Sequence, residues 1–269
     1  MDFRILGPLD VSREGRPLRL GGHQQKVLVC LLLLHANEVV SAERIIDALW
    51  GEAPPATARK ALQVSISRLR QMLGAGVLET HTPGYLIRVQ SGEFDAQRFE
   101  GLVAQGKHVL TAGEPGRAAA LLRRALALWR GPALEDAAYE SFAQAEARRL
   151  EELRLICLEE RIEADLALGR HADLVGELEV LIDRYPYRER LIGQLMLALY
   201  RSRRQAEALA AYRRSRDRLV DELGIEPGRE LRSLASRVLN QDPGLGWTAP
   251  PASVGKVIKP TAAFVGRKR

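Results

Sequence analysis

The sequence predicts a mainly α fold with a small β component. A winged helix-turn-helix with an extra N-terminal β-sheet is followed by an all-α, tetratricopeptide-like repeat domain. Three observations carry this. Residues 57–73, TARKALQVSISRLRQML, put Leu62, Ile66, Leu69 and Leu73 on one apolar line at helical spacing, with polar groups opposite. A hairpin pattern turning at Thr82-Pro83-Gly84 follows. From about Phe94 to Leu239 the pattern is helical throughout, and two of its segments align at an offset of 34 residues.

The elements follow in order. Residues 3–20 hold three short candidate strands, separated by turns at Gly7-Pro8 and Arg13-Glu14-Gly15. A strongly apolar helix covers about 22–35. Ser41 caps a second helix, SAERIIDALW, whose Ile45, Ile46 and Leu49 point inward. The loop GEAPPA (51–56) must end that helix, because proline removes a donor and clashes with the preceding turn. Thr57 caps the third helix, and Gly74-Ala75-Gly76 ends it. Val77 to Val89 is a strand, a turn and a returning strand that carries Tyr85 and Ile87.

In the helical half, 169–186 aligns with 203–220, matching Ala172 to Ala206, Leu178 to Tyr212 and Tyr185 to Leu219. A looser copy, 113–131, aligns Ala118 with Ala172. Stacked helix pairs of this period bury faces that no single pair could bury, and they offer a surface to a partner. The expected division is a winged-helix domain at 1–92, a helical domain at 93–242 and a basic tail at 243–269.

Composition limits the function. Net charge is +6, distributed as +3 over 1–90, −2 over 91–242 and +5 over 243–269. DNA affinity must therefore come from a few well-placed cations and not from bulk charge. The longest apolar run, VLVCLLLL, has eight residues, too few to span a membrane. No basic and apolar leader opens the chain, so the expected location is the cytoplasm and no membrane partner is expected. Cys30 and Cys157 sit in apolar helical patterns and read as reduced core thiols. No metal spacing, phosphate loop or nucleophile motif occurs, so neither an enzyme nor a cofactor is expected. The acids of 135–165 recur beside arginines and read as a solvated, ion-paired face. Trp50 and Trp129 read as packing at helix ends.

The outward face of the third helix carries the chemistry. Lys60, Gln63, Val64, Ser67 and Arg68 combine cations, amides, a hydroxyl and one small apolar group, the mixture that reads a major groove. Arg68 is the expected guanine reader and Val64 suits a thymine methyl. Arg70, at the apolar edge, is expected to hold a phosphate or an acidic partner. On the wing, Thr80, His81 and Thr82 would lie along the backbone or minor groove, with Gly84 allowing the tight turn. His23, Gln24, Gln25 and Lys26 open the first helix and could donate to phosphates.

SISRLRQML and TPGYLI resemble the recognition helix and wing of the OmpR/PhoB-type winged-helix domain. ALALWRGPAL (125–134) and LMLALYRSRRQAEALAAYRRSRDRLVDELGIEPGREL (195–231) resemble the bacterial transcriptional activation domain. Together they resemble the Streptomyces antibiotic regulatory protein family and its AfsR-like members, over about residues 3–240. The resemblance implies an activator of secondary metabolism that binds direct repeats overlapping a promoter −35 region. It also implies recruitment of RNA polymerase holoenzyme through the sigma factor, with core contacts besides, and the loop around Trp50, Gly51 and Glu52 is the candidate sigma-facing surface. Tandem repeats lack a dyad, so a second protomer would sit head to tail. AFVGRKR (263–269) resembles the segment that opens the NTPase module of large AfsR-like regulators, so the chain is expected to be the N-terminal piece of one. Two other readings stay open: a helical-repeat signalling scaffold, and a nucleotide- or ligand-gated regulator whose winged helix is only the output.

Overall fold

A computed structural model describes residues 1–51 and 53–248. Glu52 and the end of the tail, with its AFVGRKR segment, lie outside the described residues. Strands β1 (Asp2–Arg4), β2 (Asp10–Arg13) and β3 (Arg16–Pro17) form an antiparallel sheet in that order. Phe3 lies opposite Val11, both buried, so the sheet's inner face joins the core. Helix α1 (His23–Leu34) buries every residue from Val27 to Leu33. A helix apolar on all sides needs neighbours all round, and the strands, α2 and α6 supply them.

Strand β4 (Val40–Ser41) was not foreseen; with two residues it is too short for an alternating pattern. Helices α2 (Ala42–Trp50) and α3 (Ala58–Leu73) follow, then β5 (Leu78–His81) and β6 (Gly84–Ile87). The second sheet runs β4-β6-β5, so the wing hairpin is anchored to the start of α2. The Ser41 hydroxyl caps α2 by accepting from the Arg44 N–H at 3.2 Å. Thr57 occupies the N-cap position of α3, but its side chain caps nothing. Its backbone is not extended as a capping hydroxyl requires; the turn is closed instead by Ala58 N–H to the Pro55 carbonyl at 2.8 Å.

Among the described residues seven α-helices follow: α4 (Asp95–Thr111), α5 (Pro115–Leu126), α6 (Ser141–Ala167), α7 (His171–Arg184), α8 (Glu189–Arg201), α9 (Gln205–Leu223) and α10 (Arg229–Leu239). Helices α7 and α9 begin 34 residues apart, as the repeat predicts. The looser copy is out of register by two residues. Gly113, Gly169 and Arg203 each take a positive φ two residues before α5, α7 and α9. That pairs buried Ala118 with buried Leu174 and Ala208, whereas Ala172 and Ala206 are exposed.

Two acids of α6 also differ from the expected solvated face, whereas Glu146, Glu151, Glu152 and Glu160 pair with arginines as expected. Glu159 and Asp165 are 1% and 2% exposed. Helices packed on both sides of α6 cover these two positions. Asp165 accepts from Arg123 at 2.6 Å and Arg170 at 3.1 Å, and Glu159 accepts from Arg188 at 2.6 Å. Pairing of this kind offsets the desolvation cost of burying a carboxylate. Trp129 packs edge-on against Phe99 at 5.3 Å, with the Arg154 guanidinium over its ring. Cys30 and Cys157 are buried and unpaired, and burial pushes both thiols up to about 12. Among the described residues no helix is long and apolar enough to cross a membrane, and no acidic, His or Cys group could hold a metal ion.

Candidate nucleic-acid interface

Helix α3 divides as its wheel predicts. Leu62, Ile66, Leu69 and Leu73 are at most 2% exposed. Burying each such side chain is worth about 1.5–3 kcal/mol, which fixes the helix's roll about its axis. Lys60, Gln63, Val64, Ser67 and Arg68 consequently face solvent together. Val64, 44% exposed, has no packing role on that face.

Two structures flank the face. On one side, Ser65 and Arg68 line an open cleft with Gly21, Gly22, His23, Gln24 and Gln25 at the start of α1. On the other, Arg59 and Glu43 line a second cleft with wing residues Thr80 to Tyr85. Arg59 was missed in the sequence, although it precedes Gln63 by one turn on the same face. It pairs with Glu43 at 2.6 Å. The Glu43 carboxyl is held below the ordinary range by its own backbone N–H and by Arg59.

Several predicted contacts are already engaged within the chain. Lys26 Nζ lies 2.8 Å from Asp136, whose other oxygen accepts from the Leu9 N–H at 2.7 Å. The amine therefore joins α1 to the segment before α6 and is not a free phosphate donor. The Gln25 carbonyl oxygen accepts from the Gly21 N–H at 2.8 Å, and His23 lies 3.5 Å from Glu140. Gln24 is exposed. Arg70 donates through Nε to the Leu78 carbonyl at 2.9 Å and through Nη2 to the Thr80 hydroxyl. It is a strut from α3 to the wing, which departs from its expected role on a phosphate.

On the wing, Thr80, His81 and Thr82 are exposed. Glu79 accepts from Arg88 at 2.9 Å and pairs with His81 at 2.8 Å, and these two groups, Arg88 first, hold its carboxyl below the ordinary range. Gly84 is buried, so it presents no surface to a ligand. Its φ is not in the left-handed region either. A Cβ there would stand 1.8 Å from the Val40 carbonyl oxygen. The glycine is needed for the close approach of β4 and β6, not for the turn. Between α2 and α3, Gly51 and Ala53 to Thr57 are exposed, and Trp50 packs half-buried on the core.

Comparison with known proteins gives this arrangement a context. Residues 94–239 match the bacterial transcriptional activator domain, and residues 15–87 match the C-terminal domain of transcriptional regulatory proteins. The regulatory protein DnrI of Streptomyces peucetius is 40% identical, over 93% of this chain and 96% of its own length. The chain belongs to the Streptomyces antibiotic regulatory protein family. Regulatory protein AfsR of Streptomyces coelicolor is 44% identical over 90% of the chain, but the match covers only 24% of AfsR. The solved structure of Mycobacterium tuberculosis EmbR, in complex with a low-affinity phosphopeptide, superposes with a TM-score of 0.86 at 38% identity, covering 90% of this chain and 65% of that one.

In this member of the Streptomyces antibiotic regulatory protein family the two matched regions share one interior. A continuous apolar cluster runs from Phe3 through α1 and α3 to Phe99, Leu134 and Cys157. Asp95, 1% exposed, accepts from the Ile5 and Leu6 N–H groups at 2.9 and 3.1 Å. Burial raises its carboxyl above the ordinary value despite those bonds. At Gly7 the two regions meet so closely that a Cβ would lie 2.9 Å from the Gly131 nitrogen.

Proposed function

We propose that the chain is a sequence-specific DNA-binding transcriptional activator. The carrying observation is the exposed polar face of α3, held between the start of α1 and the wing in a chain of this family. Arg68 would take a guanine edge, with Lys60, Gln63, Val64 and Ser67 on neighbouring bases or phosphates. Thr80, His81 and Thr82 would follow the backbone. His23 and Gln24 would meet the phosphate on the other flank, where the α1 N-terminus favours an anion. The structure supports a smaller set than the sequence suggested, because Lys26, Arg70 and Gly84 have internal tasks.

Recruitment belongs to the same reading. Two protomers would bind direct repeats near the −35 region, head to tail, in the cytoplasm. Trp50, Gly51 and Glu52 would face the sigma factor and core of RNA polymerase, and the genes controlled would be those of secondary metabolism. The test is a gel-shift titration on the gene's own promoter region, with wild-type protein and Arg68→Ala. A lost bidentate guanine contact costs about 1–3 kcal/mol. Affinity is therefore expected to fall roughly tenfold per 1.4 kcal/mol, with residual binding that no longer distinguishes the site from scrambled DNA. Equal affinity and specificity in the variant would reject the base-reading role. In vitro transcription with holoenzyme then tests recruitment: Glu52→Lys should bind DNA and fail to activate.

A further inference from the structure

A cleft of about 190 Å³ opens between α7 and α9 over a floor made by Ile192 and Leu195 of α8. It exists because α9 turns small residues toward it: Ala211 and, one turn on, Ser215. Ile182 and Pro186 complete an apolar lining. Ser215 is 8% exposed, and among the described residues its hydroxyl has no hydrogen-bond partner.

The walls carry opposite charges. Glu179 and Asp183 stand one turn apart on α7, and Arg214 and Arg218 stand one turn apart on α9. All four are exposed, and none pairs across the cleft. Arg218 makes only a loose contact along its own helix, 3.7 Å to Glu222. Val180, next to the acidic wall, is 70% exposed, and Tyr187, next to Pro186, is 45% exposed. Acid on one side, base on the other and spare apolar side chains at the rim make a face that lacks only its complement.

We propose that a second copy of this chain covers the cleft through a two-fold contact. Helices α7 and α9 run the same way, since short turns set each antiparallel to α8. A two-fold axis lying along the cleft, parallel to these helices, places the acidic wall of one copy on the basic wall of its partner, twice. An axis across the cleft would place like charge on like, which is strongly disfavoured. The charge pattern therefore selects one symmetric pairing, in which Val180 of each copy turns toward the other's cleft. This contact is distinct from a head-to-tail arrangement on tandem DNA sites. It belongs to the free protein and does not depend on the DNA-binding reading.

The test is sedimentation velocity of the full 269-residue chain across a wide concentration range, without DNA. Wild type should show a monomer–dimer equilibrium that weakens with added salt, because the walls are exposed charge. Arg214→Glu/Arg218→Glu should be monomeric throughout, and so should Glu179→Arg/Asp183→Arg. Mixing these two variants should restore a heterodimer, because each then brings two like walls of opposite sign to the other. All four positions are exposed, so unchanged thermal melts by circular dichroism will show that the variants fold. A wild type that stays monomeric, a dimer that survives either reversal, or reversed variants that ignore each other would overturn the proposal.

Discussion

Gly84 shows how much one atom can matter. A methyl group there would press on the Val40 carbonyl, which is backbone and cannot rotate away. Gly84→Ala should therefore push β6 off β4 and tilt the wing. Overpacking of this kind costs typically about 1–3 kcal/mol. The expected outcome is a lower denaturant midpoint, together with weaker protection of DNA beside the wing in hydroxyl-radical footprints. An unshifted midpoint would mean that β4 yields. The sequence marked Gly84 as special, but for the wrong reason. A Pro-Gly pair signals a turn, whereas the close neighbour is set by β4, a strand too short to leave a pattern. Arg68 faces solvent as its place on the wheel predicts, and among the described residues it makes no ion pair or side-chain hydrogen bond. Lys26 was misread because its partner, Asp136, lies 110 residues away, and no local spacing reports such a pair.

At the scale of elements, the bond from Arg70 to the wing matters most. Two donors on one guanidinium hold the Leu78 carbonyl and the Thr80 hydroxyl, so the angle between α3 and the β5–β6 hairpin is fixed before DNA arrives. Pre-ordering spares binding the entropy of immobilising a hairpin. Arg70→Ala is expected to weaken DNA binding, and combining it with Thr80→Val should add little, because both break the same strut. A simple phosphate contact predicts otherwise: Arg70→Ala would lower the log–log salt slope by about 0.9, and the two effects would add. Gel shifts at several salt concentrations separate the two cases. Helix boundaries were the most readable feature of the chain. The wheel of α3 and the 34-residue step from α7 to α9 follow from local periodicity, which sequence carries directly. The two-residue slip at α5 arose because small residues align by chance, while the positive-φ residues that set the true register, Gly113, Gly169 and Arg203, differ in type.

For the whole molecule, the decisive fact is that the core does not respect the boundary near residue 92. Composition and periodicity change there, so the sequence suggests two bodies. Packing shows that Phe94, Phe99, Leu134 and Cys157 lie in the same apolar cluster as Phe3, Leu28 and Ile66. Hydrogen bonds follow the same path: Asp95 to Ile5 and Leu6, Arg130 N–H to the Leu6 carbonyl, and Leu134 N–H to the Ile5 carbonyl. A fragment ending at residue 92 would expose that cluster and leave those β1-side donors and acceptors without partners. Each fully buried aromatic or aliphatic side chain it lost is worth about 1.5–3 kcal/mol, against a total stability of about 5–15 kcal/mol for a typical domain. Residues 1–92 alone should therefore show no cooperative urea transition and rapid amide exchange in α1. In the full chain, α1 and α4 should be protected together and lose protection at the same urea concentration. A well-folded, cooperatively melting 1–92 fragment would show that the shared core is dispensable. Otherwise a partner docked on the helical half acts on the same core that carries α3, and no separate hinge is needed to connect them.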